Sequence, residues 1–434
     1  MKLRALFQAL ALSISLGTGL EAQAPALNLP SSPAPVAGPA EPGSNLTVYL
    51  LTFGWGDVVW ERFGHNAIWI RDRARGTDVT YNWGMFDFNQ PNFIGRFLTG
   101  DTRYWMEAID LEPMIRYYKG RNRSILSQEL NLTPAQRLKL QQFVELNARP
   151  ENKFYRYDYY RDNCSTRLRD ALDHALSGQL QLATVTRTTS GTYRSNTQRL
   201  MTGDIPLYTG VTLALSQRAD KPLSQWEEMF LPVRMANTLR ATSIPDSAGV
   251  RIPLVRSETP LFMSGRAPEP SAPPNYFPWY VAAGILLAGV LIALVRSAEG
   301  GHRVAFFAAT AIATLWSFIA GLAGTALLIA WLFTKHYFMG RNENLMHFDP
   351  LSIVLAVLIP LSMYGLRGVS RTIRLSGFIA AVSLFGFVLQ GIPLFDQKNG
   401  EIIALALPIN LAVWWTVYRL THYKRTSLPS SAAS

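Results

Sequence analysis

Cysteine is nearly absent from this chain of 434 residues: Cys164 stands alone. An internal disulfide is therefore excluded, and Cys164 is a packing residue, an intermolecular bridge or a reactive thiol. A concentrated block of basic charge is lacking too. The net charge of +11 is spread over both halves, no Lys/Arg run resembles a nucleic-acid arm, and nucleic acid is not expected as a partner. There is no internal repeat. No metal and no cofactor are expected.

What is present divides sharply. Residues 1–24 read as an export signal: Lys2 and Arg4, an apolar run from Ala5 to Leu20, and small residues at Ala22 and Ala24. Pro25 is a poor neighbour for that cut, and an uncleaved anchor is the alternative. No cysteine lies near the signal, so the chain is not itself a lipoprotein. Residues 25–45 are a Pro-rich spacer. Residues 46–240 are charged, aromatic and mixed, as in a soluble domain, and 241–276 read as a second linker. Residues 277–419 are dominated by apolar runs.

Those runs are Phe277 to Val295, Val304 to Phe333, Leu351 to Leu366, Gly377 to Phe395 and Ile402 to Tyr418. A hydrocarbon core takes about 20 helical residues. Three runs fit, the second is long and the third is short. With an exported N-terminal domain, five crossings put Arg296, Arg303, Arg367, Arg371, Arg374 and the tail's Arg419, Lys424 and Arg425 on the cytoplasmic side. This is the positive-inside pattern, and an even count would reverse the basic tail. The sequence thus predicts an all-α membrane domain of five helices, a cytoplasmic tail at 420–434, and a multi-pass protein of the inner membrane with its soluble domain outside.

In the soluble half, Thr47 to Phe53, Asn66 to Ile70, Asp78 to Trp83 and Ser124 to Leu132 read as strands. Thr133-Pro134 starts a helix that runs to about Asn147. Short strands mixed with helices indicate an α+β domain. A further helix follows Asn163, a good cap. Leu168, Ala171, Leu172, Ala175 and Leu176 form its inward stripe, and Gly178 closes it. Cys164 lies in its first turn on that stripe. Free N–H groups and the positive dipole end favour a thiolate there, and the Cys164 backbone N–H is positioned to hold an oxyanion. A small buried hydrophobe is the bland alternative.

A nucleophilic thiol needs a base. His302 and His422 fall on the cytoplasmic side. His174 lies about 15 Å along the same helix. His336 and His347 sit in the outward loop between the second and third spans. His65, at the head of a strand after Gly64, is the best partner. Asn66, Asn82, Asp57 and Glu61 are candidates to orient the imidazole; spacing does not decide, and Asn82 is preferred. Aromatics crowd the approach to Cys164, and some of them are expected to line an apolar groove. Tyr160, Trp83 and Asn163, with His336, Asn342 and Asn344 of the outward loop, are the expected substrate-binding residues.

Phe63-Gly64-His65-Asn66-Ala67, Tyr81-Asn82-Trp83-Gly84-Met85-Phe86-Asp87-Phe88, Gly100-Asp101-Thr102-Arg103-Tyr104 and Tyr157 through Asp162-Asn163-Cys164-Ser165-Thr166 resemble the periplasmic domain of the Lnb family of bacterial lipoprotein N-acyltransferases. The loop from His336 through Asn342-Glu343-Asn344-Leu345 to Asp349-Pro350-Leu351 resembles a segment of the same family. The resemblance implies that Cys164 and His65 are the catalytic pair. The His-then-Cys order is similar to that of permuted papain-like enzymes. The implied activity moves an acyl chain from a membrane glycerolipid through a Cys164 thioester to the α-amine of a diacylglyceryl lipoprotein. Two rivals stand beside it: a membrane-anchored thiol peptidase or amidase, and a non-enzymatic polytopic sensor.

Overall fold

The computed structural model describes residues 41–246, 248–365 and 368–427. The export signal, most of the 25–45 spacer, Arg367 and residues 428–434 lie outside the described residues.

Seven antiparallel strands form the central sheet. They are β1 (Leu46–Phe53), β2 (His65–Asp72), β3 (Thr77–Met85), β4 (Arg103–Asp110), β5 (Ile125–Leu130), β6 (Phe154–Arg156) and, after a small hairpin of β7 (Ser243–Pro245) and β8 (Arg251–Pro253), β9 (Val255–Phe262). Their order is β6-β4-β3-β2-β1-β5-β9. The four expected strands are all present. The stretch 241–276, read as a linker, supplies β9, which pairs with β5 from Ile125↔Phe262 to Leu130↔Val255.

The sheet is covered on both faces, which is why β1 is buried along nearly its whole length. On one face Val48, Leu50, Ile68, Ile70, Tyr81 and Trp83 pack against Leu168, Ala171, Leu172 and Ala175 of the helix Cys164–Ala175. On the other, Leu51, Phe53, Ala67 and Trp69 pack against Leu111, Met114, Ile115 and Tyr118 of the helix Leu111–Gly120. Alternation along each strand sorts side chains between these layers.

Two helix starts follow the sequence signals. Thr133 and Gln136 close a capping box at Pro134–Asn147. Asn163 and Thr166 do the same for the cysteine helix. The chain leaves that helix through Ser177 and Gly178, at φ 55° and 86°.

Among the described residues, four helices are long and apolar enough to cross a membrane: Phe277–Glu299, Arg303–Phe333, Val369–Leu389 and Gly400–Tyr423, which is part of Gly400–Ser427. The third apolar run, the short one, gives Ser352–Gly365, 14 residues, or about 21 Å at helical rise. It packs between Arg303–Phe333 and Val369–Leu389. Val369–Leu389 begins ahead of the fourth apolar run, which starts at Gly377, and takes Arg371 and Arg374 into its first turns. Backbone hydrogen bonding carries the helix past the edge of the apolar run, where charged side chains are tolerated at helix ends.

The two halves form one compact unit from Glu41 onward. The loop between Phe333 and Ser352 joins them. Asn342 Nδ2 donates to Leu213 O and Ala214 O at 2.8 and 2.9 Å. Asn344 Nδ2 donates to Thr212 O and Leu213 O at 3.3 and 2.8 Å, and its Oδ1 accepts from Asn399 Nδ2 at 2.8 Å. These amides occupy carbonyls at the C-terminal end of the helix Ile205–Ala214, which no further helical turn would satisfy.

Candidate active site

The site forms where β2 and β3 part. Their ladder runs from Asp72↔Thr77 to Ile68↔Tyr81 and stops there, although both strands continue. Beyond it, β2 pairs with β1 up to His65↔Phe53, and β3 pairs with β4 through a bulge between Trp83 and Met85. The first turn of the cysteine helix meets both arms of this opening. Ser165 Oγ donates to Asn66 Oδ1 on β2 at 2.8 Å. On β3, Gly84 has a φ of 91°, and a β-carbon there would stand 3.3 Å from Cys164 Cβ and 3.6 Å from the Tyr157 ring. Glycine thus meets both a backbone need and a space need at this position.

Asn66 is locked in turn, its Nδ2 donating to Leu51 O and Thr52 Oγ1 at 3.2 and 2.9 Å. The backbone N–H groups of Asn66, Ser165 and Cys164 itself all act on the sulfur. The first of these amides is the one that follows His65. Among the described residues no hydrogen bond joins Sγ to the imidazole; the sulfur's side-chain contact is Ser165 Oγ at 4.0 Å.

His65 sits on the sheet face opposite Asn66, its ring facing Phe53 and Tyr118 at centroid distances of 5.9 and 6.1 Å. Nε2 lies 3.2 Å from Asn82 Oδ1. Asn82 Nδ2 faces Thr80 O at 3.3 Å, a pure acceptor, and this fixes which end of the amide meets the ring. Oδ1 only accepts, so Nε2 carries the proton and Nδ1 keeps its lone pair. Of the four candidate orienters, Asn82 is the one placed on the ring. Asp57 pairs with Arg266, Glu61 pairs with Arg121 and Arg123, and Asn66 points to Ser165.

Both groups rest neutral at pH 7. Burial pushes the His65 imidazole down to about 4, the Arg123 guanidinium adds to this, and the Asn82 bond opposes it. Burial likewise pushes the Cys164 thiol up, against the pull of the three backbone amides and the Ser165 hydroxyl. The thiolate expected from the helix start is therefore not the resting form, because desolvation outweighs the amides. Tyr155 and Tyr157 stand close enough for a charged sulfur to raise their hydroxyls further, after burial has done so.

Each of the expected substrate-binding residues has a structural contact. Trp83 is core, 2 % exposed, on the face opposite its neighbour Asn82. Tyr160 bonds Thr197 Oγ1 at 2.9 Å and packs against Tyr193, Phe230 and Phe338. Asn163 caps its helix and donates to Tyr159 O and Phe230 O. Asn342 and Asn344 hold the two halves together, as described above. His336 Nε2 meets Phe97 O at 3.1 Å. Sequence reasoning missed Ser165, Gly84, Tyr118 and Arg123. Of these only Gly84 carried a signal, a lone glycine inside a strand pattern.

The arrangement defines a membrane-bound protein whose N-terminal domain carries a covered thiol at a helix start and an imidazole at the head of the strand that the helix packs on. Two family models match the chain: the Lnb N-terminal periplasmic domain over residues 41–199 and the Lnb transmembrane domain over residues 276–419. Together they cover well over half of it, and the chain belongs to the Lnb family. It is a multi-pass inner-membrane protein whose N-terminal domain lies in the periplasm. The family's work is lipoprotein maturation, which makes the chain an enzyme of that process. Searches of curated proteins and of solved structures returned no match.

Proposed function

We propose that this protein is a lipoprotein N-acyltransferase that works through a Cys164 thioester. The observation that carries the reading is the His65–Asn82 pair at the strand opening entered by Cys164, with the amide next to His65 acting on the sulfur. His65 Nδ1 takes the thiol proton as sulfur attacks the ester carbonyl of a glycerolipid, and returns it to the departing glycerol oxygen. The Cys164 backbone N–H, which has no acceptor within its helix, holds the tetrahedral oxyanion. The α-amine of a diacylglyceryl lipoprotein then attacks the thioester. His65 passes the amine's proton to the sulfur, and an amide and a free thiol result. Asn82 is a positioning residue that keeps Nδ1 the free base.

The reading includes a permuted papain-like arrangement, supported by the order of His65 on a strand and Cys164 at a helix start. It also keeps Ser352–Gly365 as a fifth crossing. That crossing places Arg371, Arg374 and the basic C-terminal segment on one side, as the positive-inside rule asks.

The test is mass spectrometry of lipoprotein N-termini from cells depleted of their usual N-acyltransferase. The intact gene is expected to restore the N-linked chain, and Cys164→Ala is expected not to. Equal restoration by both would refute the assignment, and release of free fatty acid without an N-linked chain would favour a thiol hydrolase.

A further inference from the structure

The short helix Phe93–Thr99 has no buried residue. Ile94 and Leu98 are 65 % and 63 % exposed, and Phe97 is exposed beside them. Nearby, Trp60 is exposed and meets Phe86 and Phe88 edge-on, and Phe88 meets Phe93. An apolar surface of this kind on a periplasmic domain needs a partner.

The structure supplies its position. Thr99 O accepts from Lys335 N at 2.8 Å, and Phe97 O meets His336 Nε2 at 3.1 Å. Lys335 also pairs with Asp101 at 2.8 Å. Lys335 lies two residues beyond Phe333, where the span Arg303–Phe333 ends and Trp331, Leu332 and Phe333 are exposed to its surroundings. The exposed side chains of 94–98 are thus continuous with the periplasmic end of a membrane span. Arg96 and Lys335 flank them with positive charge, the composition of an interfacial element.

A run of rings leads inward from this surface. Phe97 meets Tyr159 at 6.4 Å, Tyr159 meets Tyr157 at 5.5 Å, and Tyr157 borders Gly84 and so Cys164.

We propose that Phe93–Thr99 lies in the periplasmic leaflet of the inner membrane, with Ile94, Phe97 and Leu98 among the acyl chains, and that this contact delivers bilayer-borne chains to the Cys164 side of the domain. The membrane contact goes beyond the acyltransferase reading and is tested apart from it. Delivery to Cys164 rests on that reading.

The experiment uses the full chain with Cys164→Ser, so that an introduced cysteine is the only thiol. Ile94→Cys, Leu98→Cys and, as a control in the exposed β2–β3 turn, Arg75→Cys are labelled with an environment-sensitive fluorophore. The proteins are placed in phospholipid nanodiscs with or without lipids carrying a nitroxide near the head of the chain. The expected result is blue-shifted emission at 94 and 98, lost when nitroxide lipid is present, and neither effect at 75. Positions 94 and 98 behaving as 75 does would overturn the proposal. A blue shift at 94 and 98 with no quenching would also overturn it, and would assign the surface to a protein contact. Labelling by a water-soluble maleimide checks folding independently: position 75 should react readily in nanodiscs and positions 94 and 98 should be protected.

Discussion

Asn82→Asp is the most direct perturbation of the site. It replaces the amide that meets His65 Nε2 at 3.2 Å with a carboxylate of the same shape. Two unit charges at that separation attract by about 5 kcal/mol at an effective dielectric of about 20. Desolvation of the new carboxylate removes roughly half of this, leaving about two pKa units of upward shift. The imidazole then moves from about 4 toward about 6, and an imidazolium becomes available to stabilise a thiolate. The assay is alkylation of Cys164 by iodoacetamide as a function of pH. In the native protein the rate should climb about tenfold per pH unit through neutrality, because a thiol held above its usual range is scarcely ionised there. In Asn82→Asp the rate at pH 6 should rise about tenfold and the profile should flatten. Adding His65→Gln should abolish the gain. Overlaid profiles for native protein and Asn82→Asp would refute the reasoning, as would a gain that survives His65→Gln.

Three other outcomes follow from the same geometry. The half-buried neutral His65 stabilises the fold above its unfolded-state value near 6.5, and that stability is lost as pH falls from about 6.5 toward about 4, by up to about 3 kcal/mol. Thermal unfolding of native protein against His65→Gln should show an acid sensitivity present only in the former. Gly84→Ala meets both a φ of 91° and the Cys164 side chain, costs about 1–3 kcal/mol in backbone strain, and should lower acyl transfer to a lipoprotein peptide more than it lowers the unfolding midpoint. Asn344→Ala strands the Asn399 amide and removes one donor each from Thr212 O and Leu213 O, which keep their bonds from Arg194 and Asn342, costs about 1–3 kcal/mol, and should ease proteolytic separation of the two halves while leaving Cys164 alkylation of the intact chain unchanged.

Much of the architecture was legible because its signals are local. The β-branched runs of β1 and β2, the Thr133-Pro134 start and the Asn163 cap each depend on a few adjacent residues, and each is found where the sequence puts it. β9 was not legible. It is an edge strand, Val-Arg-Ser-Glu-Thr-Pro-Leu-Phe, with polar residues on both faces and Pro260 within it, a composition that edge strands tolerate and that otherwise reads as linker. The site shows the same division. Cys164 and His65 are marked by residue type and position in an element. Trp83 and Asn82 are adjacent in sequence yet lie on opposite faces of β3, one in the core and one on the imidazole. Asn342 and Asn344 look like a polar ligand set in the sequence, but the carbonyls they occupy are about 130 positions earlier in the chain.

The protonation states tie these pieces to the chemistry. A helix start alone favours a thiolate, and the sequence supports that expectation because it shows the helix and not what covers it. The covering layer decides otherwise: Tyr155, Tyr157 and the β2–β3 opening remove the water that would solvate the charge, while Arg123 and burial keep His65 unprotonated. In the proposed reaction the neutral thiol is a poor nucleophile until an ester carbonyl arrives to accept the electron pair, at which point proton transfer to His65 and S–C bond formation proceed together. In the periplasm this restraint has a use. The thiolate is the form that oxidants attack, and an unpaired cysteine in an oxidising compartment survives longer when ionisation waits for substrate. The same dry surroundings protect a thioester from water until an amine enters, so one feature of the packing serves both the resting enzyme and the proposed intermediate.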